Sequence, residues 1–126
     1  NISFENAKKI KIEIGLDPFK ENGKIFGILK PKIEDLAKKI QEYLYYFQEH
    51  SLKRHYFDSQ VSSVLLCGGG AHLHGLSDLL SFYLKIPVKL ADPLINISDK
   101  DKLLLKDSLA YSTALGMALR ALKDKL

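Results

Sequence analysis

The sequence predicts an α/β fold, a short βαβ unit with flanking helices. Three observations carry this reading. The run Ser63-Val64-Leu65-Leu66-Cys67 is apolar, partly β-branched and of strand length, and Gly68-Gly69-Gly70 follows at once. Leu73, Leu76, Leu79, Leu80 and Tyr83 or Leu84 then recur at helical spacing. Ile86-Pro87-Val88-Lys89-Leu90 supplies a second strand-length run. Residues 63–90 thus read as buried strand, glycine turn, helix and buried strand. The two strands are expected to be parallel, with a right-handed crossover.

The flanking elements follow in order. Ser3 can cap a helix whose inward face is Phe4, Ala7, Ile10 and Ile14. Gly15 stands where a helix often ends in the left-handed conformation. Residues 15–30 read as a small insertion, with an Asn22-Gly23 turn and a short strand over Ile25-Phe26-Gly27-Ile28-Leu29. Pro31 suits the first turn of a long helix, where its missing N–H is no loss. Ile33, Leu36, Ala37, Ile40, Tyr43, Leu44 and Phe47 form the stripe of that helix, which extends to residue 50 or as far as Tyr56. Glu34→Lys38 and Asp35→Lys39 are spaced for ion pairs on its surface. Residues 92–107 are polar and turn-rich. Asp107 or Ser108 caps a last helix, whose Ala110, Ala114, Gly116, Ala118 and Ala121 allow close packing against a neighbour.

Composition narrows the function classes. Of 126 residues, 46% are apolar and 27% charged, which excludes disorder, collagen and a coiled coil as the main architecture. No apolar run approaches the roughly 20 residues that span a bilayer, and no signal-peptide pattern opens the chain. The first residue is Asn1 and the only methionine is Met117, as expected of a segment excised from a longer chain. The net charge of +4 is spread over both halves, unlike the concentrated basic face of a nucleic-acid binder. Cys67 is the only cysteine, so no internal disulfide and no thiolate zinc site can form; a reducing, cytoplasmic setting is expected.

The glycine turn is the most informative feature. Consecutive glycines let backbone approach a ligand closely, and α/β sheets bind ligands beyond the carboxyl ends of their strands. A helix starting nearby would favour an anionic group. The alternative is a tight connection that meets no ligand. Gly70-Ala71-His72-Leu73-His74-Gly75 has the frame of a P-loop, but Leu76-Ser77 follows where that loop needs Lys then Ser or Thr. The dinucleotide fingerprint fails because Leu73 occupies its last glycine position. His72 and His74 are too close in sequence to share a helical face, and no third ligand is evident, so they read as surface histidines rather than a metal site. His50 and His55 read the same way. Cys67 reads as an inert, buried small hydrophobe. Tyr43, Tyr45, Tyr46 and Phe47, with Tyr56-Phe57, could stack bases; without a basic stripe they read as helix core and rim. No catalytic arrangement emerges.

Ser62 to Ala71, then Leu73 and Gly75-Leu76, resemble the adenosine motif of actin-like ATPases, which have a ribonuclease H-like fold. Phe4-Glu5-Asn6-Ala7-Lys8-Lys9-Ile10-Lys11 with Gly15 is similar to the helix these proteins place beside the adenine. Within that superfamily the chain is most similar to the PilM family of type IV pilus assembly proteins, related to FtsA. Leu44-Tyr45-Tyr46-Phe47, Ile86-Pro87-Val88 with Asp92-Pro93, and Ala114 to Arg120 carry this likeness. The resemblance implies that residues 1–126 are one segment, the carboxy-terminal part of an actin-like ATPase domain. The backbone of Gly68, Gly69 and Gly70 would border adenosine and the α-phosphate of ATP. His72 or Leu73 would border base or sugar, and Lys11 would approach from the opposite side. The family often has a ribose-binding acid where Lys8 stands; Glu5, one turn away, would substitute. Further implications are ATP with magnesium in the whole protein, phosphate and magnesium contacts mostly outside this segment, and weak ATPase activity at most, with none in the segment alone. The expected setting is the cytoplasm, at the periphery of the inner membrane. Expected partners are the cytoplasmic tail of PilN, other proteins of the pilus platform or motor, and a second copy of the chain. The alternatives are an FtsA-like or a sugar- or acetate-kinase-like member of the superfamily, or an interaction domain that binds no nucleotide.

Overall fold

The computed structural model describes residues 3–53, 60–97 and 108–123. It is helix-rich, with α1 (Phe4–Ile14), α2 (Lys24–Lys53), β1 (Val64–Leu66), α3 (Leu76–Leu84), β2 (Val88–Leu90) and α4 (Ser112–Lys123). The βαβ unit forms as expected. β1 and β2 pair in parallel, with Val64 opposite Val88, Leu65 opposite Lys89 and Leu66 opposite Leu90.

The core lies between α2, α3 and one face of this two-stranded sheet. Leu80 is fully buried, and Leu16, Ile33, Ala37, Leu76, Leu84 and Val88 surround it. Side chains of a strand alternate between faces, so Val64 and Leu66 pack on this cluster while Leu65 remains 62% exposed. Cys67 shares the face of Leu65 and is exposed, which corrects the expectation of a buried strand end. Three polar contacts fasten α3. The Ser81 hydroxyl accepts from the Val88 amide at 2.9 Å. The Gln41 amide donates to the Tyr83 carbonyl at 3.0 Å, and the Tyr83 hydroxyl donates to Glu34 Oε1 at 2.7 Å.

Several local expectations are corrected. Residues 24–30 form the first turns of α2 rather than a strand, and Pro31 lies inside this 30-residue helix. Proline there removes one backbone bond, to the carbonyl of Gly27. Phe26 and Leu29, in register with Ile33, Ala37 and Ile40, pack on the core and outweigh that loss. The Asn-Gly turn does form; Glu21, Asn22 and Gly23 all have positive φ. Any extension of α2 to Tyr56, and His55 itself, lie outside the described residues. Glu34 pairs with Lys30 at 3.7 Å rather than with Lys38, and Asp35 has no ion pair with Lys39.

Ser3 caps α1 through its hydroxyl, which accepts from the Asn6 amide at 3.3 Å. No residue of α1 is buried, however, and Phe4, on its expected inward face, is 85% exposed. The helix is held at its end. Gly15 adopts φ 58° and ψ −129°, a glycine conformation outside the expected left-handed well. The next residue, Leu16, enters the core and donates from its amide to the His74 carbonyl at 2.9 Å. α4 begins at Ser112, beyond the expected cap at Asp107 or Ser108; Asp107 lies outside the described residues, and Ser108 opens a turn. Its small residues Ala114, Gly116, Ala118 and Ala121 are exposed, so the expected close packing is not seen among the described residues.

The Tyr83–Glu34 contact gives a pH prediction. The hydrogen bond to Glu34, partial burial and the Glu34 charge all raise the Tyr83 pKa above its ordinary value. A raised folded-state pKa means that the contribution is present below about pH 10 and is lost as pH rises through the folded value. Denaturant melts from pH 8 to 11 should show a steeper alkaline loss of stability in the wild type than in Tyr83→Phe.

Candidate functional site

The glycine turn leaves β1 and becomes a single 3-10 turn, Gly69–His72. Gly68 takes φ 85°, and its amide donates to the Leu109 carbonyl at 2.8 Å, which ties the turn to the segment before α4. The Ala71 amide donates back to Gly68, and the Leu73 amide to Gly70. Leu73 is extended, and α3 starts only at Leu76, after a left-handed Gly75. The regular helix expected to resume at Leu73 therefore begins three residues later, and its amino end is not at the triglycine.

The walls of the turn are open. A Cβ built on Gly68 or Gly70 would meet no atom within 4 Å, and one on Gly69 would only reach the Ala110 Cβ at 4.0 Å. Opposite stands α1. Between them is a cleft of about 500 Å³, lined by Lys8, Lys11 and Ile12 from α1 and by Gly69, Gly70, His72 and Leu73 from the turn. That volume lies in the range of small-molecule sites. The two walls are some sixty residues apart in sequence. They meet because Leu16 and His74 join the end of α1 to the end of the glycine segment.

A family model described as type IV pilus assembly protein PilM matches residues 1–122. The chain belongs to this family. Comparison with curated proteins and with solved structures finds no match. The role of this PilM-family chain is accordingly in type IV pilus assembly.

Five residues singled out from the sequence line the cleft of this PilM-family chain: Lys11, Gly69, Gly70, His72 and Leu73. Glu5 and Gly68 do not; Glu5 is exposed on α1, and Gly68 spends its amide on Leu109. Sequence reasoning missed Ile12 and treated Lys8 only as a departure from the family pattern. The signal was present, because Lys8, Lys11 and Ile12 are spaced i, i+3 and i+4 and so share one face of α1. His72 and His74 are both exposed, and among the described residues no three His, Cys, Asp or Glu gather as a metal group. No described helix is long and apolar enough to cross a membrane.

Proposed function

We propose that this chain supplies the adenosine-side wall of an ATP cleft in an actin-like member of the type IV pilus assembly machinery. The carrying observation is the convergence of Lys11 with Gly69, Gly70, His72 and Leu73 around one cleft. The glycines let a ligand lie directly against backbone, Ile12 and Leu73 offer apolar contact to a ring, and the lysines offer positive charge. The group fits the space and the donor set for the nucleotide. Among the described residues the lining holds no carboxylate for magnesium. The chain binds and orients, and is expected to release no phosphate from ATP when assayed alone.

In this reading the protein acts at the cytoplasmic periphery of the inner membrane, with the cytoplasmic tail of PilN and other platform or motor proteins as partners. A second copy of the chain is a further partner, since Leu65, Leu90, Tyr43, Phe47, Met117 and Leu122 are all exposed.

The test is calorimetric titration with ATP and magnesium, comparing wild type with Gly70→Ala. Gly70 has no positive φ and a methyl group there has room, so folding should be unaffected. A methyl on the cleft wall should weaken ATP by about tenfold or more. Equal affinity in the two proteins, or no binding by wild type, would remove the reading.

A further inference from the structure

We infer that α1 is a hinged flap seated on an apolar crevice that it forms with the start of α2, and that Ile28 in this crevice positions the α1 wall of the cleft without lining the cleft. The seating stands on geometry alone; its effect on a ligand rests on the nucleotide reading above.

The ties of α1 lie at its carboxyl end. Leu16 enters the core and donates to the His74 carbonyl, and Lys20 Nζ donates to the Glu13 carbonyl at 3.2 Å. Between these ties stands Gly15, whose φ of 58° and ψ of −129° belong to glycine and make it the pivot. No residue of α1 itself is buried. Its 11 residues fall short of the roughly 12–15 at which a helix holds by itself in water. The order of α1 therefore depends on docking. At a length of about 16 Å, a small rotation at Gly15 moves Phe4 by several ångströms.

The seat adjoins the cleft. Ala7, Ile10 and Lys11 of α1 face Ile25, Ile28 and Leu29 of α2 across a crevice of about 250 Å³. Both sets are spaced i, i+3 and i+4, so two helical stripes look at each other, and among the described lining residues only Lys11 is polar. The α2 side is anchored, because Leu29 packs on the core. Ile28 is still 70% exposed, so α1 gains apolar burial by settling toward it. Lys11 lines both the crevice and the cleft, and Lys8 and Ile12 stand on the adjoining side of the same helix. Where α1 sits on α2 thus sets where this wall of the cleft stands.

The experiment follows amide hydrogen exchange in the full chain without nucleotide, and then measures ATP–magnesium affinity of the same variants by calorimetry. Ile28→Ser removes apolar contact from the seat. Serine and isoleucine have similar helix propensities, and the site is largely exposed, so α2 and the core should keep their stability. The amides of α1 should exchange about tenfold faster while those of α3 stay unchanged. ATP affinity should fall about twofold or more, because the wall is in place for a smaller fraction of the time. Ile28→Leu should restore both. Ile95→Ser, at a residue also 70% exposed but outside both linings, should change neither. Unchanged α1 exchange in Ile28→Ser, acceleration shared equally by α3, no rescue by leucine, or unchanged ATP affinity beside faster α1 exchange overturns the inference. Failure of wild type to bind ATP, with the exchange pattern as expected, removes the nucleotide reading and leaves α1 seated as a flap.

Discussion

Gly15→Ala should lower the melting temperature by on the order of 10 °C and abolish ATP binding. Two effects combine at this position. The backbone has φ 58° and ψ −129°, which side-chain-bearing residues rarely adopt. A Cβ there would also lie 2.7 Å from both the Cβ and the carbonyl oxygen of His74, so backbone must move. Strain and overlap together should cost about 3 kcal/mol. The functional consequence follows from what Gly15 joins. It is the point at which α1 is fastened beside the glycine segment, and shifting it carries Lys8, Lys11 and Ile12 away from the opposite wall. Gly27→Ala is the control. Gly27 lies within α2 with open space around it, and alanine there should be neutral or stabilising by about 0.5–1 kcal/mol. Circular dichroism melts decide between these outcomes; an unchanged melting temperature in Gly15→Ala would contradict the account of how α1 is held.

Leu80→Ala should cost about 2–5 kcal/mol. Leu80 has no exposed surface and stands at the centre of the cluster formed by Leu76, Leu84, Val88, Ile33 and Ala37. Ala37 is itself small and buried, so it cannot extend into the void. The loss should appear in urea melts as a lower midpoint with an unchanged slope. Since α3 carries no cleft residue, nucleotide affinity measured well below the midpoint should change little. A cost under 1 kcal/mol would show that the core is elsewhere.

The parts legible in the sequence were those whose pattern is local. The βαβ unit was readable because Val64-Leu65-Leu66, the triglycine, the leucine spacing of α3 and Val88 each carry a distinct signal. The start of α2 was not, because Gly27 and Pro31 both argue against helix and only the fit of Phe26 and Leu29 to the core overrides them. The exposure of Leu65 and Cys67 was also hidden. An apolar run looks the same whether both sheet faces are covered or one. Periodicity marked an apolar side of α1 but could not say that Phe4 would stay 85% exposed. At the site, the glycine wall was visible as a motif. The α1 wall became specific only through the contact of Gly15 and Leu16 with His74, a long-range meeting that no spacing rule encodes.

The central claim is that α1 and the glycine turn are two walls of one nucleotide cleft. Backbone amide resonances followed during titration with ATP and magnesium test it most directly. The account predicts that Lys11 and Ile12 shift together with Gly69, Gly70 and Leu73, along one saturating curve. Shifts confined to a single wall, or centred on the exposed aromatics of α2 instead, would contradict it.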